Sequence, residues 1–128
     1  MFAPLNPTMN FAVGKDYEVK SIEMLPSLAS KVDDFERLLA LEPDAPFFMG
    51  NEPCHCDFSV YHHISMAQLM HSSILDNAPH IKQLLGAVEG LPGVKAYLEQ
   101  RPELIDVGKE PKLVFGGRSV ATGVMRTD

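Results

Sequence analysis

The apolar residues in the first third of the chain recur every three or four positions, the period of an α-helix that buries one face. This run predicts a helix from about Tyr17 to Leu41, with charged residues over most of its other face. Pro26 lies inside the pattern and removes a backbone hydrogen bond, so we expect it to kink or restart the helix. The predicted buried stripe consists of Ile22, Leu25, Leu28, Val32, Phe35 and Leu39.

A second apolar run is spread around the helix circumference instead of following one face. It predicts a helix from His55 to about Ser72. A helix that is apolar on most sides is normally enclosed by other helices, so we expect this one at the centre of a bundle. Its apolar positions are Phe58, Val60, Tyr61, Ile64, Met66, Ala67, Leu69 and Met70.

Two shorter helices are predicted farther along the chain. One begins near Pro79, with Asp76 or Asn77 as its N-cap, and the other runs from Pro92 to about Gln100. Because strand patterns are nearly absent, the fold class is predicted as all-α, a bundle of about four to five helices around a central buried helix. The inward-facing residues of the two short helices are predicted to be Ile81, Leu84, Leu85, Val88 and Leu91, and then Val94, Tyr97 and Leu98.

Both ends of the chain lack the helical pattern. Residues 1–14, rich in proline and asparagine, are predicted to form an irregular N-terminal arm, and residues 15–107 the helical domain. Within the last part of that domain Leu104, Ile105 and Val107 are expected to pack as an extended strap. Residues 108–128 are predicted to form an extended tail.

Composition narrows the classes of partner and the compartment. A chain of 128 residues favours one domain. Eleven basic and seventeen acidic residues give a net charge of −6, which disfavours nucleic acid and anionic lipid as partners, and no apolar run is long enough to span a membrane. Cys54 and Cys56, one residue apart, are poorly spaced for a disulfide, so we expect a reducing intracellular compartment, cytoplasmic or organellar.

Residues 47–58, Phe-Phe-Met-Gly-Asn-Glu-Pro-Cys-His-Cys-Asp-Phe, predict a tight turn at Gly50 followed by a helix start. Asp57 stands three residues after Cys54, where its carboxylate reaches back to the unpaired amide of the N-cap. Pro53 and Phe58 have the spacing of a hydrophobic staple. Cysteine is a poor acceptor in the position where serine or threonine is usual, so we expect only half of the reciprocal capping box to form.

This motif resembles the C-terminal domain of the glutathione transferases, in which an aromatic-x-Gly turn leads into a Ser/Thr-x-x-Asp box at the start of a central buried helix. The segment Leu-Pro-Gly-Val-Lys-Ala-Tyr-Leu-Glu-Gln-Arg-Pro at 91–102 is similar to the sigma and mu classes near their final helices. The first predicted helix, with its internal Pro26, is similar to the family's long helix. The resemblance covers about residues 5–107.

The resemblance also implies what this chain does not contribute. Family members place a thioredoxin-like domain first, and that domain holds glutathione and activates its thiol. Nothing in these 128 residues resembles it, and the chain is expected to begin within the last turns of the first family helix. Leu5 stands before Asn6-Pro7, where mu-like enzymes carry an electrophile-site tyrosine. We therefore expect no catalytic residues and no cofactor, with glutathione bound only if a thioredoxin-like domain is supplied elsewhere.

Cysteine and histidine residues near the second helix raise two sharper hypotheses. Zinc binding would need ligands on one face, but Cys54 and His62 are expected to point away from Cys56 and His63, so we expect no metal site. A helix N-terminus lowers the pKa of a thiol, which would make Cys54 reactive; the alternative is an inert, partly buried thiol. We expect the residues Cys54, Asp57 and Phe58 to serve as a structural helix cap.

Two functions of different class follow from the resemblance. In the first, the chain is an interaction or structural subunit, and a protein partner or a second copy covers the face that family members pack on the thioredoxin-like domain. The arm residues Phe2, Leu5, Met9 and Phe11, together with the early turns of the first helix, are expected to contribute to that face. In the second, the chain is a fragment or half of an active transferase that joins glutathione to an electrophile. Its pocket wall would then consist of Leu5, Phe11, Leu113, Val114 and Phe115.

Overall fold

The computed structural model describes residues 14–101, 103–105, 112–115 and 117–121. Its helices confirm the predicted all-α bundle. The predicted N-terminal arm lies outside the described residues, apart from Gly14, which begins the first helix. Among the described helices, none is both long and apolar enough to cross a membrane. The helices of the described residues are α1 (Gly14–Leu39), α2 (His55–Met70), α3 (Pro79–Gly90) and α4 (Pro92–Gln100).

Helix α1 buries the predicted stripe from Leu28 onwards but not before it. Ile22 is 69% exposed and Leu25 is 38% exposed, so both predictions are wrong. The cause is the helical repeat: stepping back from Leu28 by four and then three residues reaches Met24 and Ser21, which are buried instead. The helix continues through Pro26 without a restart. The residues buried along α1 are Ser21, Met24, Leu28, Val32, Phe35 and Leu39.

Helix α3 is the described helix that contacts all three others. Its buried face consists of Ile81, Leu84, Leu85 and Val88, and three of these side chains have no exposed surface. Helix α2 contacts α1 and α3 and buries one face, whereas Phe58 and Leu69 remain 40% and 57% exposed on its other sides. In the described part of the chain, the other helices therefore cover one face of α2, where the sequence predicted that they would cover most of its circumference. The buried positions of α2 are Asp57, Val60, Ile64 and Ala67.

The first turn of α3 is held by a residue of α1. The sequence predicted Asp76 or Asn77 as its N-cap, and this prediction is wrong. Ala78 occupies the N-cap position and makes no side-chain cap hydrogen bond. Glu36 supplies the acceptor instead: its Oε2 accepts the Ile81 backbone N–H at 3.0 Å, and its Oε1 accepts that of His80 at 3.2 Å. One side chain of α1 thus satisfies two of the amides that a helix start leaves unpaired.

Helix α4 has the predicted bounds but lies at the edge of the core. None of its residues is fully buried, and Tyr97, predicted to face inwards, is exposed. The short final helix therefore adds little to the buried apolar surface. Val94, packed against the core, and Leu98 are half-buried.

Three short strands follow the helices: β1 (Glu103–Ile105), β2 (Lys112–Phe115) and β3 (Arg118–Ala121). They form an antiparallel sheet in the order β1-β2-β3, with Glu103 opposite Val114 and Phe115 opposite Arg118. Gly117 has a φ of +75° between β2 and β3, a backbone conformation that glycine adopts without strain. The near-absence of strand signals did not predict this small sheet, and Val107 of the predicted strap lies outside the described residues.

Candidate functional site

The connector between α1 and α2 closes into a tight turn at Gly50. Phe47 and Gly50 exchange two backbone hydrogen bonds of 3.2 Å, and Gly50 has a φ of +114°, which side chains with a Cβ rarely adopt. Phe47 is buried in the core, and the ring of Phe48 packs edge-on against Phe35 with centroids 5.9 Å apart. The turn therefore fixes the connector to α1 immediately before α2 begins.

Asp57 joins this turn to the start of α2. Its side chain is fully buried. Oδ1 accepts the Phe48 backbone N–H at 2.9 Å, and Oδ2 accepts the Cys54 backbone N–H at 2.7 Å. A carboxylate in the first turn also lies at the positive end of the helix dipole. Asp57 thus stabilises the helix start and the preceding turn together.

Cys54 is the N-cap residue of α2, and its side chain occupies the position that a capping box requires. The Asp57 carboxylate accepts the Cys54 amide, and the two residues have the arrangement of a capping box. The Cys54 sulfur makes no cap hydrogen bond, and the Asp57 amide donates to the Cys54 carbonyl at 3.1 Å. The expectation of half a box therefore stays a prediction. The Cys54 thiol acts as a hydrogen-bond donor here, to Asp57 Oδ2 at 3.0 Å. Phe58 follows directly and is partly exposed.

The two cysteines are free and lie side by side. Cys54 Sγ and Cys56 Sγ are 3.0 Å apart, with Cys54 half-buried and Cys56 exposed. Partial burial of its sulfur, the hydrogen bond with Cys54 and the charge of Asp57 raise the pKa of Cys56 to about 11. The Cys56 thiol is therefore protonated at neutral pH and is a poor nucleophile.

An open, mostly apolar groove runs beside this helix start. Its volume is about 370 Å³, which falls at the small end of the range for ligand pockets. Cys56 lines it together with the Phe35–Phe48 ring pair. The lining residues are Phe35, Leu38, Phe48, His55, Cys56, Ser59 and Val60.

The histidines fall into separate environments. His62 and His63 contact each other edge-on, and burial, with a contribution from His62, lowers the pKa of His63. His71 Nε2 lies 2.9 Å from the Ser21 carbonyl, and His80 Nδ1 lies 2.6 Å from Glu36 Oε1. Neither His62 nor His63 is part of the cluster of potential metal ligands in the described chain, which consists of Cys54, Cys56 and Asp57.

Three exposed apolar side chains lie close together on the N-terminal half of α1. Val19 is 56% exposed and precedes Ile22 and Leu25 at intervals of three residues, which places the three along one side of the helix. This α1 face (Val19, Ile22 and Leu25) lies beside the buried stripe and not within it. Other large apolar side chains that are exposed are Leu38, Leu41, Met49, Phe58, Leu69 and Tyr97.

The pocket predicted from the sequence includes residues that the structure does not describe, so it stays a prediction. Leu5 and Phe11 lie outside the described residues, as do Phe2 and Met9. Leu113, Val114 and Phe115 lie on β2, where Leu113 pairs with Leu104 and Val120. Glu36 is the residue that sequence reasoning missed, since nothing within its own helix marks it as the cap of another.

The chain is similar to known glutathione transferases. The family model described as "Glutathione S-transferase, C-terminal domain" matches residues 6–101. Glutathione S-transferase Mu 2 of Mus musculus is 30% identical over 84 residues, which are 66% of this chain and 37% of that protein. The class-mu 26 kDa isozyme 1 of Fasciola hepatica is 33% identical over 54 residues, 42% of this chain and 24% of that protein.

The match to these relatives is partial in length. The class-mu 26 kDa isozyme of Schistosoma mansoni is 28% identical over 90 residues, 70% of this chain but 40% of that protein. The aligned region thus spans well under half of each of these relatives. No solved structure matches the chain significantly.

Proposed function

This chain belongs to the glutathione S-transferase family, and we propose that it acts as an interaction or structural subunit built on the family's C-terminal helical domain. By itself it conjugates no glutathione. It offers a helical platform that packs against another protein region: a thioredoxin-like glutathione-binding domain, another protein or a second copy of this chain.

The observation that carries this proposal is the α1 face. Three large apolar side chains lie along one side of this helix, beside the buried stripe, and all three are exposed: Val19 by 56%, Ile22 by 69% and Leu25 by 38%. Covering such side chains is favourable by about 25 cal/mol for each Å² removed from water. Contiguous apolar surface of this kind marks protein–protein contacts more often than scattered exposed residues do. Phe58 and Leu69 add further exposed apolar area on α2.

The buried Asp57 and the half-buried Glu36 support the same proposal, because their roles are structural. Asp57 accepts two backbone amides at the start of α2, and Glu36 accepts two at the start of α3. The protonated Cys56 thiol does not supply a nucleophile at neutral pH. Thiol activation would therefore come from a different protein region.

The compartment and the excluded partners belong to the proposal as well. Two free thiols 3.0 Å apart suit a reducing intracellular compartment, cytoplasmic or organellar. The net charge of −6 disfavours nucleic acid as a partner.

A conjugation assay tests the proposal. The purified, reduced 128-residue chain is mixed with glutathione and a chlorodinitrobenzene-type electrophile, with a mu-class enzyme as the positive control. We expect the rate to equal that of the uncatalysed reaction, and the chain to pass through a column of immobilised glutathione. Turnover above the uncatalysed rate would contradict the proposal.

The similarity to mu-class enzymes favours one alternative, in which the chain is half of an active transferase. Its contribution would be a wall of the electrophile pocket, formed by Leu5, Phe11, Leu113, Val114 and Phe115. In that case, co-expression with a thioredoxin-like half restores conjugation, and replacing Phe115 by alanine changes the KM for the electrophile more than the KM for glutathione. If conjugation is restored but replacing these residues does not change the KM for the electrophile, the pocket role is refuted and the platform role stands.

A further inference from the structure

Two thiols and a buried carboxylate form a compact set of metal-ligating atoms at the start of α2. Cys54 Sγ lies 3.0 Å from Cys56 Sγ and 3.0 Å from Asp57 Oδ2, and the three ligand atoms all lie within 4.8 Å of one another. We propose that Cys54, Cys56 and Asp57 bind one thiophilic divalent cation, and that zinc is the ion this donor set suits. Thiolate sulfur and carboxylate oxygen are both zinc ligands, whereas magnesium and calcium prefer oxygen alone.

Two of the three distances between the ligand atoms need only a small expansion to accept zinc, and the third, between Cys56 Sγ and the Asp57 carboxylate, is within 4.8 Å. With Zn–S about 2.3 Å and Zn–O about 2.0 Å, a tetrahedral ion holds two sulfurs about 3.8 Å apart, and a sulfur and an oxygen about 3.5 Å apart. The sulfur pair must therefore open by about 0.8 Å, and the Cys54 Sγ–Asp57 Oδ2 pair by about 0.5 Å. Cys56 is exposed, so a rotation of its side chain supplies the larger movement.

The capping role of Asp57 is compatible with metal binding. Oδ1 keeps the Phe48 amide, and one lone pair of Oδ2 keeps the Cys54 amide. The thiol of Cys54 now donates to Oδ2, and loss of that proton frees the lone pair for the ion. Backbone amides that orient a ligating carboxylate are the outer shell that holds a metal site in place.

Zinc binding at this site requires only the loss of two protons and no redox step. Both thiols release their protons to solvent, and two thiolates, one carboxylate and Zn²⁺ give a complex of net charge −1. A negative complex is favoured at the N-terminus of a helix. Cys56 is exposed and lines the open groove, which provides an entry path and leaves the fourth coordination position to water.

The test is metal binding by the full 128-residue chain in the presence of a phosphine reductant. Zinc is titrated against a chromophoric chelator, and cobalt is used as a spectroscopic probe because thiolate ligands give intense charge-transfer absorption. Cys56→Ala and Cys54→Ser are the test variants: Cys56 takes no part in the cap, and serine is a preferred N-cap residue, so both variants fold. His63→Ala is the control, since it removes an imidazole of the same helix.

We expect one zinc ion per chain and a cobalt spectrum with thiolate charge transfer. Each cysteine variant should lose at least tenfold in zinc affinity, while His63→Ala binds as the parent does. Zinc at a hundredfold excess over its Kd should raise the Tm of the parent by about 5–10 °C and that of the double cysteine variant hardly at all. The proposal is overturned if the fully reduced chain binds no zinc, or if Cys54→Ser and Cys56→Ala bind it as tightly as the parent.

Discussion

The carboxylate of Glu36 lies 3.0 Å from the backbone amide of Ile81, although the two residues are 45 positions apart in the sequence. A side chain of α1 therefore does for α3 what an N-cap residue of α3 would ordinarily do. Within the described part of the chain, the contact joins the longest helix, α1, to α3, which contacts the other three helices. Its loss should weaken the packing of the whole bundle and not only one helix end.

Replacing Glu36 by glutamine should destabilise the protein by about 1–3 kcal/mol. A charged acceptor is lost from two backbone amides in a half-buried position, and hydrogen bonds to charged groups contribute more than neutral ones. Urea denaturation followed by circular dichroism measures the change. Asp33→Asn is the matched control, because Asp33 is exposed on the same helix and should change the free energy of unfolding by less than about 0.5 kcal/mol. Equal midpoints for the two variants would refute the role of Glu36.

The stabilisation by Glu36 should depend on pH in the acid range. Burial alone would raise the pKa of Glu36, but hydrogen bonds from the Ile81 amide and from the His80 side chain and amide outweigh burial and leave the pKa below 4.5. Because the folded state favours the carboxylate more than the unfolded chain does, the contribution is present above about pH 4.5 and is lost as the pH falls through the folded pKa.

The difference in unfolding free energy between the parent and Glu36→Gln should therefore shrink as the pH is lowered below about 4.5. Urea denaturation of both proteins at a series of acid pH values measures it. A difference that grew on acidification would show that the pKa of Glu36 is raised in the folded state.

Cys54→Ser should raise the Tm, and Asp57→Ala should lower it. Serine is a better acceptor for the Asp57 amide than a thiol, with a gain of up to about 1 kcal/mol. Removal of the Asp57 carboxylate leaves the Phe48 and Cys54 amides without their acceptor, at a cost of about 2–4 kcal/mol. Thermal unfolding in the presence of reductant and a chelator separates this effect from any bound metal. If the three proteins melted together, the cap would have no part in stability.

The α1 face should tolerate polar substitution without loss of stability. Ile22→Ser removes an exposed apolar side chain, so the free energy of unfolding should change by about 0.5 kcal/mol or less. Leu28→Ser, on the buried stripe of the same helix, should cost more than about 3 kcal/mol. An apolar fluorescent dye should bind Ile22→Ser more weakly than the parent. Undiminished dye binding would contradict the prediction, because the dye would then be binding apolar surface other than this face.

Features that depend on residues close in sequence could be predicted, and those that depend on distant residues could not. Helix α4 has its predicted bounds because Pro92 marks the start of a short periodic run. The buried stripe of α1 was predicted wrongly before Leu28 because apolar residues occur there on two adjacent sides of the helix. Packing against the other helices decides that Met24 is buried and that Ile22 and Leu25 are exposed.

The site divides in the same way. The distance from Cys54 to Asp57 is one helical turn, so the spacing alone brings them together. The contact of Asp57 with Phe48 depends on the turn at Gly50, and that of Glu36 with Ile81 on the packing of two helices. The small sheet was missed because its strands are three or four residues long, shorter than the alternating patterns that identify a strand.

The most direct measurement of the central claim is isothermal titration of reduced glutathione into the folded 128-residue chain. A helical platform whose glutathione chemistry is supplied by another protein region should give only the heat of dilution, up to millimolar glutathione. A saturable heat with one site per chain would contradict the account, because the helical unit would then bind the tripeptide by itself.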